Sequence, residues 1–242
     1  MKHEGRLPPF EAAMQFVHRY FPDCQGALLS GSVVRGEATN TSDLDIVIFD
    51  EKLPAAFRES VTAFGWPIEV FAYNFMSYQH YFESDRKSAK PSLLKMVTEG
   101  VVLIDRGRIS VIREEAQKLL QNGPEPWSEE IIKQKRYFIT DALDDFIGAD
   151  ERGEELCIAN TLAELIYEFV LRVNGHWISA SKWMIRTLRQ YDEAFATAFV
   201  NAFDAFYRTG QKEAVIELVD RVLEPYGGRL FTGFSIGKIK VD

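Results

Sequence analysis

Two short stretches hold residue types that could do chemistry together. In Leu29-Ser30-Gly31-Ser32-Val33-Val34-Arg35-Gly36, a Gly-Ser turn follows the apolar run Ala27-Leu28-Leu29. Ser42-Asp43-Leu44-Asp45 then opens the run Ile46-Val47-Ile48-Phe49, which reads as a buried strand. Alternate residues of a strand share a face, so Asp43 and Asp45 are expected to project side by side. Two carboxylates so close repel each other unless protons or cations neutralise them. Hard divalent cations suit oxygen ligands, and Mg²⁺ adds substrate phosphates to one or two carboxylates. Gly31-Ser32 is expected at the N-terminus of a short helix, where backbone N–H groups and a hydroxyl favour phosphate. A phosphate cradle followed by a carboxylate pair points to a metal-dependent nucleotide site.

Gly31-Ser32-x-x-Arg35-Gly36, then Ser42-Asp43-x-Asp45 and an apolar strand, resembles the signature of the polymerase-β-type nucleotidyltransferase superfamily. That pattern implies a third carboxylate on a neighbouring strand. Glu69 is the only charge in Pro67-Ile68-Glu69-Val70-Phe71-Ala72-Tyr73. An acid there is costly unless it is paired or binds a cation, or unless the strand is an edge with Glu69 facing water. The resemblance implies transfer of a nucleoside monophosphate from an NTP, with ATP the expected nucleotide, and release of pyrophosphate. It implies two Mg²⁺ ions on Asp43, Asp45 and Glu69, with Gly31, Ser32, Arg35 and Ser42 on the nucleotide. Arg35 either neutralises phosphate charge or braces the loop. A hydroxyl acceptor also gains from a general base, which in the family can be a carboxylate of the helical half. Glu164 and Glu168, four apart and so on one helix face, are the candidates, a solvated face being the plainer role for either.

Those residues need a sheet to position them. With 242 residues, 46% apolar and 26% charged, the chain can bury a core in one large or two small domains. The spacing predicts a helix over 10–20, its buried face made by Phe10, Ala13, Met14, Val17 and Tyr20 with Phe16 and His18 off it. Strands are expected over 25–30 and 44–50, less clearly within 54–65, and around Glu69. Helices over 76–86 and 91–99, a short buried strand over 101–104 and a helix over 109–121 complete this half. Asn122-Gly123-Pro124-Glu125-Pro126 breaks the chain. Beyond it, amphipathic segments over 128–147, 154–173, 180–190, 193–207 and 211–223 read as a helical bundle, with the tail unassigned.

The expected fold is therefore α+β: a mixed-sheet nucleotidyltransferase domain (1–121), a linker (122–127) and an all-helical domain (128–242). This layout is similar to that of the small-molecule, aminoglycoside-type nucleotidyltransferases. It makes a small hydroxyl compound the expected acceptor, recognised through the helical half. The alternative is an antitoxin-like or regulatory relative acting on a protein partner, against which the second domain counts.

A net charge of −8 and a pI near 5.2 argue against nucleic acid as a partner and suit a small or cationic acceptor. The acids Asp141, Asp144, Asp145, Asp150, Glu151, Glu154 and Glu155 read as a solvated surface or as an attractor for such a cation. Trp177 and Trp183 read as packing residues rather than a substrate platform. Cys24 and Cys157 read as reduced structural residues. Residues 1–6 lead into no apolar run that would make a signal peptide, and no stretch approaches the roughly 20 apolar residues of a membrane span. A cytoplasmic location is expected.

Overall fold

A computed structural model describes residues 6–237, and these fall into two compact units that part between Pro124 and Glu125. The N-terminal stretch read for a signal peptide (1–5) and the last five residues of the tail lie outside the described residues.

The first unit runs α1 (Pro9–Tyr20), β1 (Gly26–Ser30), β2 (Leu44–Phe49), β3 (Phe57–Ala63), β4 (Trp66–Tyr73), α2 (Ser77–Ser88), α3 (Ser92–Glu99), β5 (Val101–Asp105) and α4 (Ile109–Asn122). Its sheet has the order β3-β4-β2-β1-β5, with β2 parallel to β4 and every other pair antiparallel. The mixed sheet arises because β3 and β4 form a hairpin that returns beside β2. Phe64 and Gly65 both have positive φ (53° and 81°) in its two-residue loop, the conformation whose twist suits a tight hairpin. The turn thus lies one residue before Gly65-Trp66-Pro67, where the sequence placed it.

Strand β2 is central and covered on both faces, which its unbroken apolar run requires. Leu44, Ile46 and Ile48 join Ala27, Leu29, Ile68, Val70 and Ala72 in one core with α1. On the other face Phe49 meets Tyr73, Phe75 and Tyr78. The buried stripe of α1 differs from expectation: Ala12, Ala13, Phe16 and Val17 face the core, while Phe10 and Tyr20 are 48% and 52% exposed. Small Ala12 and Ala13 let the helix approach the sheet, and Phe16 fills the space beside Tyr20 and Phe21. His18 is exposed, as expected. β5 is not a buried strand: it pairs only with β1 at the sheet edge, and Val101 is 43% exposed.

Asp85 of α2 accepts a hydrogen bond from Leu94 N (3.0 Å) and so caps the start of α3. Burial pushes its carboxyl up to about 6, against the opposing pull of backbone N–H groups of Leu94, Leu93 and Ser92. The folded value lies above the unfolded value of about 3.9. The stability this group contributes is therefore complete below about pH 4 and lost as pH rises through about 6. At pH 7.5, Asp85→Asn should be neutral or about 1 kcal/mol more stable, whereas Asp85→Ala, which removes the cap, should lose about 1 kcal/mol. Urea unfolding distinguishes the two, and equal losses in both would discount the charge argument.

The second unit is helical: α5 (Glu129–Gly148), α6 (Arg152–Val173), α7 (Trp183–Tyr191), α8 (Glu193–Thr209), α9 (Glu213–Leu223) and a 3-10 turn at Glu224–Tyr226. Ser128, Glu151 and Asp192 cap α5, α6 and α8 with side-chain oxygens. Glu151 explains why α6 starts before the expected residue 154. Its core joins Leu143, Phe146, Leu162, Ile166, Phe169, Phe206, Leu218 and neighbours on four helices. The described part of the tail left unassigned from sequence lies along α5. Arg136 donates to Gly228 O, Leu230 N to Thr140 Oγ1, and Phe234 stacks on Tyr137 at 3.9 Å. No helix among the described residues is long and apolar enough to cross a membrane.

Candidate metal and nucleotide site

The site begins where β1 ends. Ser30 is followed by Gly31 at φ +80°, and a Cβ there would overlap Asp45 Oδ2. Only glycine allows this backbone to pass the carboxylate. Residues 31–36 do not form the expected helix; they make consecutive turns, closed by Gly36 N to Val33 O (3.3 Å) and Glu37 N to Ser32 O (2.9 Å). Val33 and Val34 are anchored on the core beside α1, and Gly36 adopts φ +71°, so the segment turns away after one turn. The hydroxyl of Ser42 accepts from Thr39 N (2.8 Å) and from Ser32 Oγ (3.2 Å). The two serines assigned to nucleotide therefore touch each other across the mouth of the loop. Arg6 lies over the Trp66 ring and donates to Ser42 O at 2.9 Å, which fixes the backbone immediately before Asp43.

The three acids meet. Asp43 immediately precedes β2, while Asp45 is in register with Ser30 of β1 on one side and Glu69 of β4 on the other. One oxygen from each of Asp43, Asp45 and Glu69 lies within 4.8 Å of the other two, and all three residues are half-buried. Burial pushes the Asp45 carboxyl up to about 6. The charges of Asp43 and Glu69 add to this, and Arg35 and Arg58 partly offset it. An all-oxygen, all-carboxylate set under such repulsion fits a hard divalent cation and not a thiolate- or imidazole-seeking one.

No protein-family profile matches the chain, and no curated protein does. Among solved structures, a nucleotidyltransferase-like protein from Exiguobacterium sibiricum 255-15 aligns with 90% of this chain and 75% of its own, with TM-score 0.50 and 10% identity. The fold is nucleotidyltransferase-like. At that identity the likeness carries the fold alone, and the residues must carry the chemistry.

Within this nucleotidyltransferase-like fold Arg35 braces its loop: it pairs with Glu99 at the end of α3 (3.2 Å) and with Glu37 (3.5 Å). Glu164 and Glu168 stand four apart on α6 in the second unit. Glu164 is exposed, while Glu168 is half-buried in an ion pair with Lys135 (2.5 Å), whose ammonium lies over Trp127. Asp144, Asp145, Glu151 and Glu154 line an open surface pocket of about 880 Å³ where α5 gives way to α6. Trp177 and Trp183 are half-buried, and Arg186 lies over the Trp183 ring. Cys24 is buried and Cys157 exposed, neither in a disulfide.

Two residues of the site escaped the sequence reading. Arg58 of β3 donates to Glu69 Oε2 at 2.6 Å. The register that puts Ser60 opposite Glu69 and Arg58 opposite Phe71 was the only signal for it, and that register depends on a turn misplaced by one residue. Ser30, 1% exposed, has a hydroxyl with no hydrogen bond among the described residues and sits in register with Asp45. A serine ending an otherwise apolar strand was the available clue.

Proposed function

We propose that this chain is a nucleotidyltransferase that moves a nucleoside monophosphate from an NTP, with ATP the first candidate, to a hydroxyl of a small-molecule acceptor. The observation that carries this reading is the meeting of Asp43, Asp45 and Glu69 beside the Gly31-Ser32 turn. Three carboxylates held this close by a rigid sheet are unfavourable as a structural device, and the arrangement makes sense for binding cations together with phosphates. Asp43, Asp45 and Glu69 would hold Mg²⁺, two ions in the arrangement the sequence resembles. When bound, Mg²⁺ supplies positive charge to phosphoryl oxygens and to the attacking and leaving oxygens.

The chain's own residues account for the rest. The backbone after Gly31 and the Ser32 hydroxyl hold the leaving phosphates, with Ser42 fixing the rotamer of Ser32. Arg35 keeps the turn in place through Glu99 and Glu37. The acceptor oxygen attacks the α-phosphorus, the bond to the β-phosphate oxygen breaks, and its electron pair leaves with pyrophosphate. The acceptor proton passes to a general base, a role for which Glu164 and Glu168 are the candidates from the sequence. Glu164 is open to solvent, whereas Glu168 must first give up its ion pair with Lys135. The acidic surface, net −8, favours acceptors that carry amines beside the hydroxyl, as the aminoglycoside-type resemblance also implies.

The test is pyrophosphate release by the full chain with Mg²⁺, each NTP in turn, and a panel of amino-sugar and neutral hydroxyl compounds. The expected result is acceptor-dependent release that stops in EDTA, with the acceptor gaining the mass of one nucleoside monophosphate. Failure to bind any NTP in the presence of Mg²⁺ would overturn the reading.

A further inference from the structure

Arg58 is in an ion pair with Glu69, one of the three carboxylates. It stands on β3, the outer strand of the sheet, opposite Phe71. Its guanidinium lies over the Phe71 ring (4.9 Å) and reaches along β4 to Glu69 Oε2 at 2.6 Å. The two partners differ in freedom. The Glu69 side chain is 24% exposed and fixed between β2 and β3, whereas that of Arg58 is 61% exposed on an edge strand. A pair of this kind contributes little net stability, because water competes for the guanidinium and a long side chain must be ordered. It does occupy an oxygen-bearing group that a divalent cation would need.

We propose that Arg58 is an exchangeable counter-ion of the carboxylate site: it neutralises Glu69 while no divalent cation is held there and yields Glu69 when one enters. The proposal rests on the metal-site reading above and deepens it. With Arg58 on Glu69, the three carboxylates stay close without their full mutual repulsion. A cation that arrives must displace the guanidinium and meets its positive charge while doing so. Phe71 gives the displaced guanidinium an alternative resting surface on its own strand pair, since a cation over an aromatic face keeps part of its stabilisation. Arg58 is in this sense a positioning residue that sets how readily the site fills, and has no place in bond making.

The experiment measures Mn²⁺ binding to the full chain without nucleotide, at about 0.15 M salt where fields beyond roughly 8 Å are screened. Arg58→Gln should bind Mn²⁺ about three- to tenfold more tightly than the wild-type chain, the range expected for removing one exposed ion-pair competitor and its repulsion. Arg58 is exposed at the sheet edge, so the variant keeps the fold. Lys52→Gln serves as the control for net charge: Lys52 pairs with Asp23 beyond the far end of β2 and should leave Mn²⁺ affinity unchanged. Unchanged or weaker binding in Arg58→Gln overturns the proposal, as does an equal gain in Lys52→Gln. A wild-type chain that binds no Mn²⁺ overturns the metal-site reading itself.

Discussion

Asp45→Asn is expected to lower nucleotidyl transfer by at least about a thousandfold while leaving a folded protein that is more stable without metal. Both halves of this expectation come from one fact. Asp45 is held between Ser30 and Glu69 in the centre of the sheet, where burial, Asp43 and Glu69 together push its carboxyl up to about 6. The folded value exceeds the unfolded value of about 3.9, so the stability this group contributes is complete below about pH 4 and lost as pH rises through about 6. At pH 7.5 the ionised carboxylate is a cost to the metal-free fold, and Asn removes it. Allowing for partial exposure, the gain should be about 1 to 2 kcal/mol at pH 7.5 and nothing at pH 4. Cation binding needs the charged form, so wild-type Mn²⁺ affinity should weaken as pH falls through about 6. Thermal unfolding in EDTA at the two pH values and the pyrophosphate assay check the two halves separately. Transfer near the wild-type rate in Asp45→Asn would remove the carboxylates from the chemistry.

The meeting of the three acids was legible because each clue was local. Strand alternation placed Asp43 and Asp45 together, and Glu69 stood out as a lone charge in an apolar run. The expected α+β class was legible for a similar reason, since period-two apolar runs occur only before residues 122–126 and helical spacing alone follows them. What stayed hidden depends on contacts distant in sequence. Which face of α1 is buried is decided by how closely Ala12 and Ala13 let it approach the sheet, and a count of large apolar residues favoured Phe10 and Tyr20 instead. Residues 31–36 turn with Val33 and Val34 packed on the core and Gly31 and Gly36 left-handed, features that helix propensity along the sequence does not report. Arg58 could be found only from the exact register of β3 on β4, and a shift of one residue would turn its side chain to the other face.

Gly31→Ala should be the most damaging single-atom-group addition in the first unit. The new Cβ would overlap Asp45 Oδ2 and lie 2.9 Å from Asp45 Cγ and 3.3 Å from its Cβ, at a backbone φ of +80°. Left-handed backbone alone costs an alanine about 1 to 2 kcal/mol. The overlap then forces a choice. β2 is paired on both sides and cannot retreat, so either the turn after β1 lifts, taking the Ser32 hydroxyl with it, or the Asp45 carboxylate rotates away from Asp43 and Glu69. Either movement is of the order of 1 Å at a group that must be aligned with the phosphates, a displacement that costs about a hundredfold in rate. Gly36 supplies the comparison: it too is left-handed, at φ +71°, but a Cβ there meets nothing within 4 Å. Gly36→Ala should therefore lose about 1 kcal/mol of stability and little of its turnover. Gly31→Ala should lose both, with a fall in kcat that persists at temperatures where each variant is fully folded. If the two variants turn over alike under those conditions, the Gly31 turn does not position Asp45, and the coupling of phosphate loop to carboxylates fails.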